Sequence, residues 1–439
     1  MHEGWTNPGS GGLGRSGRLH YAWAVLGMGT LVVFGALGLA RFGYSMLLPP
    51  MQAGLQLDNT QAGLLATANL AGYLPLALIG GALASRYGPR RVIAAGLCLA
   101  GLGMLSTGLV HGFAGAAVWR GVTGVGSGAS NVAVMGLLSS WFGVRRRGLA
   151  AGIAVSGSAL ALMLLGPLVP WILGRSGETG WRASWFLFGG LTLVVALSAL
   201  LILRNRPSEK GLRPLGEANV PPAAAPVGLE SASLPHAGKL SWGSVYGSRR
   251  VWHLGAVYTA YGFSYIIYMT FFVKHLTVEA GYTGPQAGNL FMIMGWCSLF
   301  CGLLWGAVSD RVGRKRALMI VYLIQATAFG LFGAGEGAFA HVLSAVLFGF
   351  TAWSIPAIMA AACGDVLGPR MAPAALGFIT LFMGAGQAVA PGIAGAMADA
   401  SGSFSSAFLL AAAVAFLGFL GAWGLRPGAP RLEHDACPG

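Results

Sequence analysis

Arg41, Tyr44 and Ser45 stand at i, i+3 and i+4 of one apolar run, so a single helical turn presents a guanidinium, a phenol and a hydroxyl on one face. An arginine well inside a bilayer costs roughly 2.5–3.5 kcal/mol on insertion scales, so it needs a ligand, a buried partner or a route to the surface. The chemistry on offer is recognition of a planar anion, because the guanidinium fork matches a carboxylate. Tyr258, Tyr261, Tyr265 and Tyr268 recur at spacings of three, four and three, which aligns four phenols along one face. Buried phenols need partners, and a wet cavity satisfies four of them more readily than lipid does. Asn131, Trp353 and Gln387 are further polar or aromatic exceptions in apolar surroundings. With Arg41, Tyr44, Tyr261, Tyr265 and Tyr268 they form the candidate substrate-binding set. The competing readings are that Arg41 snorkels to the outer surface, with Pro49-Pro50 ending its helix two turns later, and that the tyrosine stripe is core. Arg120 is a second cation in an apolar run, and packing against neighbouring carbonyls accounts for it equally well.

What is missing narrows the chemistry. No Asp or Glu lies in the interior of an apolar run; Asp365 comes nearest, at the end of one. A carrier of cations or polyamines would want a buried acid, so an anionic small molecule is the expected substrate. Proton coupling through a membrane carboxylate has no residue to use, which leaves His253, His341 or the substrate's own titration. Cys98, Cys297, Cys301 and Cys363 lie in apolar runs and Cys437 near the C-terminus, with no CxxC pair and no disulfide framework. No hydrolase, phosphate-loop or metal-ligand motif is present, so neither an enzyme nor a cofactor is expected.

The elements that must position these residues follow from composition. Of 439 residues, 55% are hydrophobic and 9% charged, whereas soluble domains carry about a quarter charged residues. Apolar runs of about twenty residues indicate helices rather than the alternating strands of a barrel. The fold class is therefore an all-α membrane protein. Its twelve expected transmembrane helices fall six in 21–203 and six in 251–425. A cytoplasmic tail (1–20), a flexible cytoplasmic linker (204–250) and a second tail (426–439) complete the chain.

The net charge of +14 sits in short loops: 22 of the 27 Lys and Arg residues fall on the N-terminal side of the expected membrane. By the positive-inside rule both termini are cytoplasmic, and the cell inner membrane is the expected location. The same distribution argues against nucleic acid and for contact with membrane lipid. A monomer is expected.

An internal repeat runs through the chain. At an offset of 225, Gln61, Ala62, Gly63, Gly81, Ala82, Arg86, Gly88 and Arg91 match Gln286, Ala287, Gly288, Gly306, Ala307, Arg311, Gly313 and Arg316. Gly143, Arg145, Ala150 and Gly152 likewise match Gly368, Arg370, Ala375 and Gly377.

The stretch Gly306-Ala-Val-Ser-Asp310-Arg311-Val-Gly313-Arg314-Lys315-Arg316 resembles the signature loop of the major facilitator superfamily, GxxxDRxGRR/K. Its partner Gly81–Arg91 has Ser85 where the acid belongs. Arg120 with Gly124, Gly126 and Gly128 resembles the family's second motif. Gly157 and Gly166-Pro167 resemble the antiporter motif, from which Pro170-Trp171 departs. The resemblance implies two pseudo-symmetric six-helix bundles, 21–203 and 251–425, rocking about a central site. It also implies a gating role for Gly81, Arg86, Gly88, Arg91, Arg120, Gly306, Asp310, Arg311, Gly313 and Arg314, with Asp310 holding the eighth span against the fifth. The first span, Gly38–Pro50, is similar to bacterial carriers near the monocarboxylate-transporter and cyanate-permease branches, although the Asp-Arg pair those carry in the eighth span is absent. A secondary transporter of a small organic anion, moving a monocarboxylate, is the expected function. An efflux carrier for hydrophobic solutes and a transporter-like ligand sensor are the alternatives.

Overall fold

The computed structural model describes residues 20–143, 146–216, 245–368 and 371–425. Most of both expected tails, the middle of the expected linker (217–244), and Arg145 and Arg370 lie outside the described residues. Among these residues the chain is helical, with one isolated pairing between Phe142 and Leu215.

Among the described residues, ten helices are long and apolar enough to cross a membrane, or eleven if the bent pair Gly284–Ser298 and Cys301–Val312 makes one span. We label α1 Ala22–Leu55, α2 Asn59–Tyr87, α3 Pro89–Thr107, α4 Phe113–Trp141, α5 Arg147–Ser176 and α6 Gly180–Ile202. The second half has α7 Arg249–Glu279, the bent pair α8, α9 Arg314–Ala334, α10 Gly337–Leu367, α11 Ala372–Ser401 and α12 Ser405–Trp423. The α5–α6 stretch is a nearly continuous 56-residue helical run, interrupted by a 3₁₀ turn at Gly177–Thr179.

The repeat has a structural cause at helix starts. Asp58 accepts from the Gln61 N–H and Gln61 reaches back to the Asp58 N–H, which caps α2; Thr283 and Gln286 cap α8 in the same way. Gly88 (φ +86°) and Gly313 (φ +89°) take the corresponding turns into α3 and α9, a backbone region that side chains disfavour.

Small residues let the helices meet backbone to backbone. A Cβ on Gly124 would lie 1.9 Å from the Asn69 carbonyl oxygen, and one on Gly126 would lie 2.3 Å from that of Gly96. The spaced glycines after Arg120 thus wedge α4 between α2 and α3. Within the first half α2 packs on α4 and α3 on α4 and α6; within the second, α7 packs on α11 and α12, and α9 on α12.

The halves meet along α2–α11, α5–α8 and α1–α7. The two outer seams are tight at one end. A Cβ on Gly63 would meet the Pro391 carbonyl oxygen at 2.0 Å, one on Gly395 that of Asn59 at 2.2 Å, and one on Gly288 that of Gly166 at 2.1 Å. Toward the other end the packing is lighter: Cβ atoms on Gly81, Gly306 and Gly377 would meet nothing within 4 Å, one on Gly152 of α5 would meet only Leu303 of α8 at 3.7 Å, and Leu78 and Ile79 on α2 are exposed. The loose end also carries residues 204–216, so we call it the linker end and the sealed one the far end.

The expected linker does not start as an open chain. Leu215 exchanges hydrogen bonds with Trp141 and Gly143, the Trp141 indole donates to the Arg204 carbonyl (2.9 Å), and Asn205 accepts from the Arg90 N–H (3.0 Å). Polar backbone at the ends of α4 and α6 supplies partners that composition alone does not reveal.

Candidate functional site

Arg41 lies in a π-helical stretch, Phe34–Phe42, inside α1. Such wide turns are rare and concentrate at functional sites. Here the stretch coincides with close approach to α5, where a Cβ on Gly38 would lie 2.2 Å from that of Ala161. Helix α1 continues through Pro49 and Pro50 to Leu55, so about 21 Å of helix separates Arg41 from its far end. That depth removes the short route to the surface that two prolines suggested.

The Arg41 guanidinium lies over the Tyr73 ring, 4.3 Å from its centroid, and the Tyr73 hydroxyl accepts from the Asn131 amide at 2.9 Å. Across the interface between the halves, Arg41 lies close enough to Tyr265 on α7 to interact with its hydroxyl electrostatically, and that hydroxyl accepts from the Gln387 amide of α11 (2.6 Å). Trp353 completes this wall, its ring 5.4 Å from Phe42 and 6.4 Å from Tyr265. Arg41, Asn131, Tyr265, Trp353 and Gln387 are therefore brought together. Tyr73 belongs with them although the sequence did not single it out. Its signal was faint: a lone tyrosine two residues before Pro75 in α2.

Arg120, read from sequence as a gating residue, belongs to the same site. It is fully buried on α4, donates to the Ala40 carbonyl at 2.6 Å, and lies over the rings of Tyr44 (4.6 Å) and Trp185 (5.2 Å). It is close enough to Arg41 for the two charges to repel. A cavity of about 10 Å³ separates them, lined also by Ser45, Asn69 and Thr270 and by no acidic residue. Polar atoms without a hydrogen-bond partner converge here: Nε and Nη2 of both arginines, Ser45 Oγ and Asn69 Oδ1. Unpartnered buried donors of this kind are costly unless a ligand or water meets them. Nearby, Trp353 Nε1 and Asn131 Oδ1 are also unmet.

Of the remaining predicted contacts, Tyr44 lines the same cavity, while Tyr261 and Tyr268 are placed elsewhere. The Tyr44 hydroxyl donates to the Ala62 carbonyl (2.7 Å), and its ring serves Arg120. Tyr261 donates to the Ala352 carbonyl (2.7 Å) at a break in α10. Tyr268 bonds Ser344 (2.8 Å) amid Phe329, Phe332 and Phe348, inside the second half. The tyrosine stripe is a shared helix face, but only Tyr265 meets the arginines, because the rest of that face packs within its own half.

At the linker end, Asp310 pairs with Arg314 (2.5 Å), which also reaches Asp365 (3.3 Å) and Ser309 (2.5 Å). All four belong to the second half. In this conformation Asp310 pairs with Arg314 of its own half, and among the described residues no ion pair joins it to α5. Arg86 lies over Tyr87 (5.4 Å), while Arg91 and Arg311 are exposed.

A site with two uncompensated arginines between two packed helical halves suits passage of an anion, and known proteins of similar sequence and shape are transporters. The chain is 25% identical over 392 residues to the hexuronate transporter of Bacillus subtilis (strain 168), covering 86% of this chain and 88% of that one. It is 25% identical over 347 residues to monocarboxylate transporter 13 of Rattus norvegicus, covering 77% and 74%. A solved bacterial homologue of the human lysosomal transporter Spinster, described as inward-facing and unoccupied, shares the fold with a TM-score of 0.70 and 17% identity. That match covers 94% of this chain and all of the other. The family profile described as "Uncharacterised MFS-type transporter YbfB" matches residues 33–422. The chain thus belongs to the major facilitator superfamily and is a membrane transporter rather than an enzyme.

Proposed function

We propose that the protein is a secondary transporter that carries a small organic anion, a monocarboxylate, across the cytoplasmic membrane by alternating access. The observation that carries this reading is the pair of half-buried Arg41 and fully buried Arg120, with unmet donors and no acid lining the cavity between them. A carboxylate about 4 Å from one guanidinium gains roughly 4 kcal/mol at an effective dielectric near 20, before its desolvation is subtracted. Arg41 is the first contact, because it lies over Tyr73 of the first half and neighbours Tyr265 of the second. Arg120 holds the opposite side of the cavity. The relatives that carry hexuronates and monocarboxylates support a carboxylate as the recognised group.

Dividing the long α5–α6 run at Gly177–Thr179 and counting the bent α8 as one span gives twelve spans in two bundles of six. With the linker end cytoplasmic, as the loop charges imply, the conformation described above is closed to the outside and open toward the cytoplasm.

Transport of labelled organic acids into proteoliposomes tests the site. Arg41→Gln should nearly abolish uptake and Arg41→Lys should weaken it, since lysine keeps the charge but loses the planar fork. Uptake of an identified acid with unchanged apparent affinity in Arg41→Gln would reject the assignment.

A further inference from the structure

The cavity between Arg41 and Arg120 holds about 10 Å³, room for roughly one water-sized group, so it admits a carboxylate and not the body of the acid that bears it. The side chains placed to meet that body are the neutral polar groups beside Arg41, on the linker-end side. Tyr73 stands about one turn past Asn69 in α2, and Asn131 about three turns past Arg120 in α4. The Asn131 amide donates to the Tyr73 hydroxyl at 2.9 Å. The second half faces them with Tyr265, close enough to Tyr73 for the two hydroxyls to interact, and with Gln387 and Trp353.

Within the protein these groups use only part of their hydrogen-bonding capacity. The Tyr73 hydroxyl accepts from Asn131 and the Tyr265 hydroxyl from Gln387, and neither O–H donates to any of the described residues. The Trp353 indole N–H has no acceptor and Asn131 Oδ1 has no donor among the described residues, although both atoms are buried. The other phenols of the α7 stripe show the contrast: Tyr261 donates to the Ala352 carbonyl, and Tyr268 bonds Ser344. Beside Arg41, neutral donors on Tyr73, Tyr265 and Trp353 therefore stand with a neutral acceptor on Asn131. A hydroxyl both gives and takes a hydrogen bond, so it fits this mixture. A second carboxylate would set its charge against the Asn131 oxygen, and a hydrocarbon body would leave every one of these groups unmet.

We propose that the transported anion is a hydroxy acid, its carboxylate held between Arg41 and Arg120 and its hydroxyl groups bonded by Tyr73, Asn131, Tyr265 and Trp353. This rests on the anion reading above and concerns the other end of the same molecule. The arginines select for an acid, and the neutral groups select which acid, because a site built to bond a hydroxyl rejects an analogue that lacks one. Gln387 is a positioning residue: its amide holds the Tyr265 oxygen and leaves the Tyr265 proton free for the ligand. The hydroxyl contacts come from α2 and α4 of the first half and from α7 and α10 of the second. A ligand that makes them ties the two halves together around itself.

The test is isothermal titration of the purified full-length protein with two pairs of acids of similar size: glycerate against 2-methylbutanoate, and glucuronate against cyclohexanecarboxylate. Each pair shares the carboxylate, and only the first member carries hydroxyls. In the pair whose size the site admits, the hydroxylated acid should bind about tenfold or more tightly than its partner, which leaves buried polar atoms unpaired. Asn131→Leu matches the side chain in size and removes its acceptor; Trp353→Phe keeps a ring and removes the N–H. Each should reduce the preference within that pair by about fivefold or more. Arg41→Gln should weaken every acid that binds, so a failure of the anion reading shows as indifference to Arg41→Gln, separate from the preference within a pair. Three results would overturn the proposal: an apolar member that binds as tightly as its hydroxylated partner in both pairs, a preference that survives both Asn131→Leu and Trp353→Phe, or binding by none of the four acids.

Discussion

Arg41 and Arg120 each carry a charge that the membrane does not accept without a partner, and the fold answers with aromatic faces rather than acids. Tyr73 lies beneath Arg41, and Tyr44 and Trp185 flank Arg120. An aromatic face steadies a cation without neutralising it, which leaves the positive field available to a ligand. Tyr73 then acts as a positioning residue. Tyr73→Phe keeps the ring and loses only the Asn131 bond, so apparent affinity should fall less than about tenfold. Tyr73→Leu removes the cation–π support, worth roughly 0.5–2 kcal/mol, and should cost more. Substrate counterflow measures both; equal losses would point to the hydroxyl as the element that matters. Arg41 was legible in the sequence because an isolated cation in an apolar run has few explanations. Its neighbour Arg120 was visible as a charge, but not as a partner, because the α1–α4 crossing that joins them leaves no local trace. The tyrosine stripe was legible as a face and not as a destination: helical spacing fixes which side chains share a side, while packing decides what that side meets.

At the scale of elements, the repeat is most legible where a residue type has a backbone task. Gln61 and Gln286 close capping boxes, and Gly88 and Gly313 turn the chain with positive φ. Alanine at either glycine should destabilise the protein by about 1–2 kcal/mol, read as a lowered melting temperature in detergent. Unchanged melting would contradict the backbone argument. The seams between the halves depend on glycine in another way. Gly288→Leu puts a branched side chain where a Cβ alone would lie 2.1 Å from the Gly166 carbonyl oxygen. The far end should then fail to close, and a cysteine at Val278 should react faster with an impermeant thiol reagent. By contrast, Asp310 is two-thirds exposed, and its partner Arg314 also has Asp365 and Ser309. Asp310→Asn should change thermal stability by less than about 1 kcal/mol. The signature loop was read correctly as a turn into α9. The expected clamp onto α5 concerns one conformational state, and a sequence motif does not state which conformation it serves.

The whole molecule is two packed halves sealed at one end, with the arginines between them. Composition made the membrane class legible, and the offset of 225 exposed the duplication. The π-helical stretch in α1, the bend in α8 and the docking of residues 204–216 were not legible, because each arises from contacts between distant segments. Topology is tested at Ser208, which is exposed at the linker end. A cysteine there should resist an impermeant reagent applied outside intact cells and react after the membrane is opened. The central claim, that the paired arginines select an anion, is tested most directly by comparing an organic acid with its uncharged amide in proteoliposome uptake. The account predicts that the acid is carried, that the amide neither is carried nor competes, and that Arg41→Gln removes the preference. Equal uptake of acid and amide, unchanged by Arg41→Gln, would contradict it.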